Sequence, residues 1–423
     1  MEKIQPRTEQ WPRYTYIVPH VYTRARVRLV GFGNYVPMGT ITNEFFSYVT
    51  TRLGEPRSPQ DIEHGTGLRS RHVRNSTLEL CQRIAGKDAP GLIFGPARRE
   101  EESLADMALV AARRALASAG RDPAEVDIIL GASSTDNDAF PTFPSLVQMR
   151  LGMRPVRSTM LKGGCACQTE SFQCCADALS TSSARLALIV MTEGLLSNAM
   201  HILDWRLSAL FGEGAAAFLF ERYTDDEDGD DEAMYIVNGA DAKQAPALYG
   251  WTPLRKDVIA MAEEDALIQR LYAEGKGAEL RRLFASRDMP GYARMNGREV
   301  FREAPRAMAE AVDTLHRHSG LAYDDLDYII PHQANSRIIQ RMGDLLVRDY
   351  GWPASTMEKL VDNFRDYGNL SNASIGTSLV ELMRQGKLHE GQWLAMPAVG
   401  AGLNYGSCLL RFHALKHPGA LFS

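Results

Sequence analysis

The apolar positions of the chain follow the same order twice. The stretches "ALVAARRALASAGRDPAEVDIIL" and "AMAEAVDTLHRHSGLAYDDLDYII" each begin with apolar residues at i, i+3, i+4 and i+7, the spacing of a helix with one buried face. Each helix is predicted to end at a glycine, Gly120 or Gly320, before a polar turn and an apolar strand at 126–130 or 326–330. Because helix, turn and strand recur in register, the pattern predicts an internal duplication.

This repeat predicts an α/β protein built from two similar halves, residues 27–222 and 236–423. An N-terminal arm, 1–26, precedes them, and an acidic loop at 223–235 separates them. The charge-rich stretch 253–288 is predicted to be a helical insertion in the second half. In such sheets, ligands usually bind beyond the carboxyl ends of the strands.

Composition excludes several classes of protein. The chain has 423 residues, 45% of them hydrophobic, and a formal net charge of -5, which argues against a nucleic-acid binder. No apolar run reaches the ~18 to 20 residues of a membrane helix, so no membrane insertion is expected. The N-terminus lacks the pattern of a secretory signal, and we therefore expect a cytoplasmic protein with reduced thiols.

Four of the six cysteines lie close together in "STMLKGGCACQTESFQCCADAL". A zinc site would need a second, distant pair of ligands, which Cys165 and Cys167 lack, so no metal site and no cofactor are expected. Cys174 and Cys175 are adjacent and are best explained by packing. Cys165 follows two glycines and precedes a predicted helix, 168–179, whose N-terminus favours a thiolate. From these residues alone, nucleophile and packing both remain open for Cys165.

Two later segments contain candidate partners for a reactive cysteine. In "IIPHQANSRII", His332 follows a buried strand, and "DYGNLSNASIGTSL" contains Asn369. Asn372 and Ser374, in the same segment, also suit helix caps. A neutral histidine and an asparagine amide supply hydrogen bonds to a developing oxyanion, and a Cys, His and Asn set suits thioester chemistry.

At this point the chain resembles a known family. From about Val27 to Phe412 it is similar to the ketoacyl-ACP synthase III branch of the thiolase superfamily, with "GTGLRSRHV", "DAFPTFPS", "FGEGAAA", "HQAN" followed by Arg337, "YGNLSNAS" and "GAGLNYGSCLLRF" in order. The resemblance implies duplicated βαβ halves in a five-layer αβαβα arrangement. It also implies an acyltransferase that forms carbon–carbon bonds, with acyl carrier protein as partner and a homodimer as assembly.

The resemblance implies a role for each matched residue. Cys165 would be acylated by a primer thioester, acyl-ACP or acyl-CoA. His332 and Asn369 would then bind the carbonyl of a malonyl- or β-ketoacyl-ACP type extender during decarboxylative Claisen condensation. The main-chain N–H groups of Cys165 and Ala401 would form the oxyanion hole, although Ala401 replaces a glycine that is usual in the family.

Two further positions match residues that contact partners. Phe140 corresponds to a phenylalanine that crosses the dimer interface into the partner's acyl pocket, with a core aromatic as the alternative explanation. Arg337 corresponds to a basic residue that contacts the carrier protein, with a merely solvated arginine as the alternative.

The sequence also departs from the housekeeping pattern. Asp61 stands where a tryptophan stacks on the CoA adenine, and Gly65 stands where an arginine lies. Loss of an aromatic platform and a cation predicts that acyl-CoA is a poorer primer than acyl-ACP. With the arm, acidic loop and insertion, these departures favour an enzyme of specialised lipid or polyketide biosynthesis.

Three other activities remain open from the sequence. The first is acyl transfer to an alcohol or amine, which Asn369 disfavours because relatives of that kind tend to replace it. The second is non-decarboxylative head-to-head condensation, which needs a glutamate near Phe140, where this chain has Asp136 and Asp138. The third is a non-catalytic pairing subunit, which an intact Cys165 disfavours.

Overall fold

The computed structural model describes residues 22–94, 103–136, 140–223, 233–249, 257–285 and 293–423. The strands in these ranges are β1 (Thr23–Ala25), β2 (Val27–Tyr35), β3 (Gly39–Thr42), β4 (Ser70–Val73), β5 (Ile93–Phe94), β6 (Ile128–Ala132), β7 (Arg157–Leu161), β8 (Leu186–Gly194), β9 (Glu213–Arg222), β10 (Met234–Ala240), β11 (Leu248–Tyr249), β12 (Arg294–Met295), β13 (Leu326–Ile329), β14 (Trp393–Gly400) and β15 (Asn404–Arg411).

The helices alternate with these strands along most of the chain. They are α1 (Asn43–Arg52), α2 (Pro59–Thr66), α3 (Asn75–Ala85), α4 (Leu104–Ala119), α5 (Phe143–Leu151), α6 (Cys167–Thr181), α7 (Leu195–Asn198), α8 (Trp205–Ser208), α9 (Asp257–Ala273), α10 (Gly277–Ala285), α11 (Gly297–Ser319), α12 (Ser336–Tyr350), α13 (Phe364–Tyr367) and α14 (Ser374–Arg384).

Two five-stranded mixed sheets form the centre of the protein. The first has the order β2-β9-β8-β6-β7, and the second has the order β1-β10-β15-β14-β13. In each sheet one short strand of the predicted repeat, β6 or β13, runs parallel to its inner neighbour, β8 or β14. The glycines that end α4 and α11 are both left-handed, with φ of 60° at Gly120 and 73° at Gly320, as the repeat predicts.

The edges of the two sheets differ. In the first sheet, β6 pairs on its outer side with the full strand β7. In the second sheet, the corresponding side of β13 has a single isolated bridge, between Ile329 and Leu360. The duplicated halves therefore match in their inner strands and diverge at this edge.

The buried side chains define five layers. One hydrophobic cluster joins both sheets to α6 and α14 between them, and it includes Phe172, Cys175, Phe218, Leu379 and Met396. A second cluster packs α4 and α5 on the outer face of the first sheet. A third packs α11 and α12 on the outer face of the second sheet. The α/β class and the αβαβα arrangement expected from the family resemblance are confirmed.

The N-terminal arm ends inside the second sheet. Its last residues form β1, which pairs antiparallel with β10, so Thr23 lies opposite Ile236. These last residues of the predicted arm therefore form an edge strand of the second half's sheet. The division of the chain at 27–222 and 236–423 stays a prediction. Most of the acidic loop and of the arm lies outside the described residues.

The predicted insertion contains two helices, α9 and α10, that pack beside the first half. Their side chains Ile268, Leu271, Tyr272 and Leu280 join a fourth hydrophobic cluster with α1, α3 and the loops after β8. In α10, Arg281 forms an ion pair with Glu55 at 3.1 Å. The described helices include none that is both long and apolar enough to cross a membrane.

The N-terminus of α10 touches the end of α1 so closely that only glycine fits. A Cβ at Gly277 would lie 1.8 Å from the Leu53 carbonyl oxygen. We expect Gly277→Ala to lower the free energy of unfolding by about 1–3 kcal/mol, because the backbone must move apart. Thermal unfolding measures this change. Gly419→Ala is the control, since a Cβ there meets nothing within 4 Å. Equal stability of the two variants would contradict the close packing of α10.

Candidate active site

Cys165, His332 and Asn369 line one cavity of about 470 Å³. They come from three separate connections, before α6, after β13 and before α14. The walls of the cavity are largely apolar, with contributions from Phe211, Leu248, Met295, Val300, Phe301 and Leu403, and three arginines, Arg57, Arg206 and Arg337, also line it. The fold thus brings together three side chains that are as far apart in sequence as residues 165 and 369.

Cys165 sits where the backbones of the two halves meet. A Cβ added to Gly400 would lie 2.5 Å from the Cys165 nitrogen, and one added to Gly164 would lie 2.4 Å from the Ala401 nitrogen. The two N–H groups expected to form the oxyanion hole therefore belong to main-chain segments in direct contact. The Ala401 methyl group faces Gly164, and the missing side chain of that glycine leaves room for it.

The Cys165 thiol is not activated by the start of α6 alone. The helix begins two residues later, at Cys167, whose N–H donates to the Gly164 carbonyl at 2.8 Å. Burial raises the pKa of Cys165 to about 12, a hydrogen bond from Ser371 lowers it, and the neighbouring Glu193 raises it further. The thiolate expected from the sequence thus needs more than the helix N-terminus.

His332 is buried, with an exposed fraction of 2%. Its backbone N–H donates to the Pro397 carbonyl at 2.8 Å, which ties the loop after β13 to β14. Burial lowers the pKa of His332 to about 4, partly opposed by a backbone hydrogen bond with Ser371. The imidazole is therefore neutral near pH 7, the form that the sequence reasoning required.

Asn369 is anchored on both sides by main-chain hydrogen bonds. Its N–H donates to the Leu210 carbonyl at 3.0 Å, and its carbonyl accepts from Gly212 N–H at 3.1 Å. The side-chain oxygen of Asn369 accepts from Ser371 N–H at 2.8 Å. This bond leaves the NH₂ end of the amide available to the cavity.

The other cysteines are packed in the interior or beside it. Cys167 and Cys175 are buried, and Cys174 is partly buried against the central core. All six cysteines are free thiols. Among the described residues, no group of three or more His, Cys, Asp or Glu side chains is placed to hold a metal ion.

Sequence reasoning missed a buried acid beneath the cysteine. Glu193, near the end of β8, is fully buried, and Ser371 lies between it and Cys165. A charged residue at the end of the otherwise apolar strand "LALIVMTEG" is a signal that was available in the sequence. Asn372 donates to Glu193 at 2.5 Å, and α14 begins after Ala373 with no side-chain cap, so the helix-cap explanation for Asn372 is wrong.

Phe140 does not belong to the core of its own chain. Its side chain is 87% exposed and does not line the cavity. The alternative explanation as a core aromatic is therefore wrong. Asp138 lies outside the described residues.

Arg337 lines the cavity and is exposed, and its contact with the carrier protein stays a prediction. Its guanidinium donates to the His64 carbonyl at 2.9 Å, and Asn335 caps the start of α12 through the Arg337 N–H. These contacts join α12 to the end of α2.

The two positions that depart from the housekeeping pattern both lie on α2. Asp61 forms a capping box with Ser58, each backbone N–H donating to the other side chain at 3.0 Å. These hydrogen bonds lower the pKa of Asp61, which favours its ionised form. Gly65 lines the cavity, and a Cβ there would meet nothing within 4 Å. Trp205 supplies an aromatic wall from a different element, α8.

Comparison with known proteins agrees with this geometry. Residues 316–412 match the family model for the C-terminal part of 3-oxoacyl-[acyl-carrier-protein] synthase III. The chain is 30% identical, over 82% of its length and 97% of the relative, to beta-ketoacyl-[acyl-carrier-protein] synthase III of Rhodospirillum rubrum.

Solved structures of similar proteins extend the likeness to the fold. The 3-oxoacyl-(acyl carrier protein) synthase III of Pseudomonas aeruginosa is 27% identical with a TM-score of 0.69, covering 93% of this chain and 99% of that one. The priming β-ketosynthase of the R1128 polyketide pathway is 26% identical with a TM-score of 0.70, covering 93% and 98%.

The chain therefore belongs to the beta-ketoacyl-[acyl-carrier-protein] synthase III family. It is a condensing enzyme, an acyltransferase that forms carbon–carbon bonds.

The contact between the two halves at the cysteine gives a direct test. If the Cys165 N–H belongs to the expected oxyanion hole, Gly400→Ala should reduce the rate of acylation at least about 100-fold, because the new methyl group would displace that N–H. Ala401→Gly, the matched change at the next residue, removes a methyl group and should leave the rate near that of the native enzyme. Acylation kinetics measured by intact-protein mass spectrometry compare the two. A fully active Gly400→Ala variant would show that this N–H is not used.

Proposed function

We propose that this enzyme acylates Cys165 with a primer thioester and condenses the acyl group with a malonyl- or β-ketoacyl-ACP type extender. The observation that carries the proposal is the convergence of Cys165, His332 and Asn369 on one cavity. In the first step the Cys165 sulfur attacks the primer carbonyl, and the N–H groups of Cys165 and Ala401 stabilise the oxyanion. The carrier thiol then leaves, and the acyl group remains on sulfur.

In the second step His332 and Asn369 bind the thioester oxygen of the extender. With a malonyl extender, loss of CO₂ leaves an enolate, and two neutral hydrogen-bond donors stabilise the charge on its oxygen. A pKa of about 4 keeps His332 uncharged throughout the neutral range, so this property does not change between pH 6 and 8. The enolate carbon attacks the acyl carbonyl on Cys165 and forms the new carbon–carbon bond, while the sulfur–acyl bond breaks and the Cys165 sulfur leaves as a thiolate.

Mass spectrometry after incubation with acyl-ACP and acyl-CoA thioesters tests both steps. We expect Cys165→Ala to abolish covalent acylation and Cys167→Ala, two residues away and buried, to keep it. His332→Ala should still be acylated but should lose condensation with malonyl-ACP by about 100-fold or more, because an oxyanion donor is gone. An adduct on Cys165→Ala refutes the nucleophile, and near-native condensation by His332→Ala refutes the role of the histidine.

The partner of the reaction is an acyl carrier protein, and the cavity entrance supports acyl-ACP as the better primer. Arg57, Arg206 and Arg337 line the cavity and suit an anionic prosthetic group. With Asp61 and Gly65 at these positions, the chain lacks the aromatic side chain and the cation that would contact a CoA nucleotide. We assign the docking contact with the carrier protein to Arg337.

A substitution at Gly65 tests this carrier preference. We expect Gly65→Arg to lower the KM for acyl-CoA about tenfold, the effect of one added charge-assisted hydrogen bond to a phosphate. The KM for acyl-ACP should change little. Gly65→Ala is the control, since it makes the same change in helix propensity without the charge. An equal change for both carriers would refute the role of this position in carrier choice.

The assembly we propose is a homodimer formed along β7. This strand has a partner on one side only in the described chain, and every residue of it is partly or fully exposed. Phe140 and Met149, 87% and 66% exposed, lie just before and within α5, next to the same edge. A second copy paired here would cover both apolar side chains, and Phe140 would reach the partner's acyl pocket.

The biological setting we propose is specialised lipid or polyketide biosynthesis in the cytoplasm. The insertion α9–α10 and the similarity to a polyketide priming ketosynthase support it.

A further inference from the structure

A buried carboxylate, Glu193, lies behind the proposed nucleophile. Glu193 is 0% exposed, and no ion pair in the described part of the chain includes it. Its oxygens accept from Ser134 N–H at 3.1 and 3.2 Å, Thr135 Oγ1 at 2.8 Å, Asn372 Nδ2 at 2.5 Å and Ser371 Oγ at 3.1 Å. Four groups thus point donors at one side chain, an arrangement that suits the ionised form.

The hydroxyl oxygen of Thr135 also accepts a hydrogen bond. It accepts from Gly194 N–H at 2.9 Å, so its own proton is free to go to Glu193. Burial raises the pKa of Glu193, and the four hydrogen bonds oppose that rise. In its ionised form, this carboxylate lies one hydroxyl away from the sulfur that itself becomes negative during the reaction.

The Ser371 hydroxyl lies between the Cys165 sulfur and the Glu193 carboxylate and has a single proton to donate. Its Oγ lies 3.2 Å from Cys165 Sγ and 3.1 Å from Glu193 Oε1. A hydroxyl donates one hydrogen bond, so it serves either the sulfur or the carboxylate at a given moment. A thiol can donate to Ser371 Oγ, whereas a thiolate can only accept from it.

The backbone of Ser371 is fixed by the other two site residues. Its N–H donates to Asn369 Oδ1 at 2.8 Å, and its backbone hydrogen-bonds with His332. Its φ of 50° is the one positive value at a non-glycine residue in the described chain. Ser371 therefore contacts Cys165, His332 and Asn369 together, and a strained backbone at such a position is typical of a functional residue.

We propose that Ser371 is a catalytic residue whose hydroxyl donates to Glu193 while Cys165 is a thiol or a thioester, and turns to the sulfur when it is a thiolate. This rests on the proposed role of Cys165 as nucleophile. When the primer arrives, the Cys165 proton leaves with the carrier thiol, so that Cys–SH and acyl–S–carrier become Cys–S–acyl and carrier–SH. The thioester sulfur is a poor hydrogen-bond acceptor. The Ser371 hydroxyl therefore keeps its proton and donates its hydrogen bond to Glu193 again. Glu193 acts as a positioning residue.

The two residues have opposite effects on the thiol. The titratable groups around Cys165 in the described chain are Glu193 on β8, His332 after β13 and Cys167 at the start of α6. His332 is neutral and Cys167 stays protonated near pH 7, since burial raises its pKa to about 12. The charge on Glu193 therefore disfavours the thiolate, and the Ser371 hydroxyl favours it.

The test is the rate at which iodoacetamide alkylates Cys165 at fixed pH, followed on its peptide by mass spectrometry. We expect Ser371→Ala to slow alkylation about tenfold, equivalent to a rise of about one pKa unit on losing a hydrogen bond to a charged group. Glu193→Gln should act in the opposite direction and speed alkylation. Ser374→Ala is the matched control, because its buried hydroxyl donates to the Ser371 carbonyl at 2.8 Å and does not touch sulfur.

A second measurement, acylation of Cys165 in the native enzyme by a primer thioester, distinguishes failure of this inference from failure of the proposed function. If that acylation occurs and Ser371→Ala reacts with iodoacetamide as fast as Ser374→Ala, the role of Ser371 is wrong and the function stands. If Ser371→Ala alone is slow, the role is supported even where Glu193→Gln fails to fold. A Glu193→Gln variant that folds and reacts more slowly than the native enzyme would overturn the assignment of the charge.

Discussion

The cavity depends on two stretches of main chain touching with no side chain between them. Residues 163–165 come from the first half and residues 400–401 from the second. A single Cβ at Gly164 or Gly400 would overlap backbone atoms of the other segment. Each half therefore supplies one N–H of the proposed oxyanion hole, and its geometry is set by the packing of the two halves on each other.

The same junction explains why the site is buried and still polar. The central layer, α6 and α14, lies between two sheets, so the connections that precede these helices meet deep inside the protein. Desolvation there keeps His332 neutral and keeps the Cys165 thiol protonated in the free enzyme. A hydrogen-bond network around Glu193 offsets part of the free-energy cost of that desolvation. An isolated buried polar group would have no such compensation.

Sequence patterns predicted the parts of this arrangement that are local. The helical period, the glycines at 120 and 320 and the strands after them depend on neighbouring residues, and each appears near its predicted place. The family motifs directed attention to Cys165, His332 and Asn369, which share the cavity.

Other features depend on contacts between distant segments, and local patterns contain little trace of them. The pairing of β1 with β10 joins residues more than 200 positions apart. The position of Ser371 between an acid and a thiol requires three connections to meet.

The two halves share the order of their inner strands but differ at one sheet edge, the outer side of β6 or β13. The first ends in β7, a full strand with a row of backbone groups, whereas the second ends in a single bridge between Ile329 and Leu360. A chain with two such strands at these margins would offer a template for end-to-end growth into a filament. The second half lacks such a strand at this margin in the described chain, so the proposed pairing of two copies through β7 would close on itself. Of the two matched margins in the described chain, the divergence at Leu360 therefore leaves a full edge strand on one, β7.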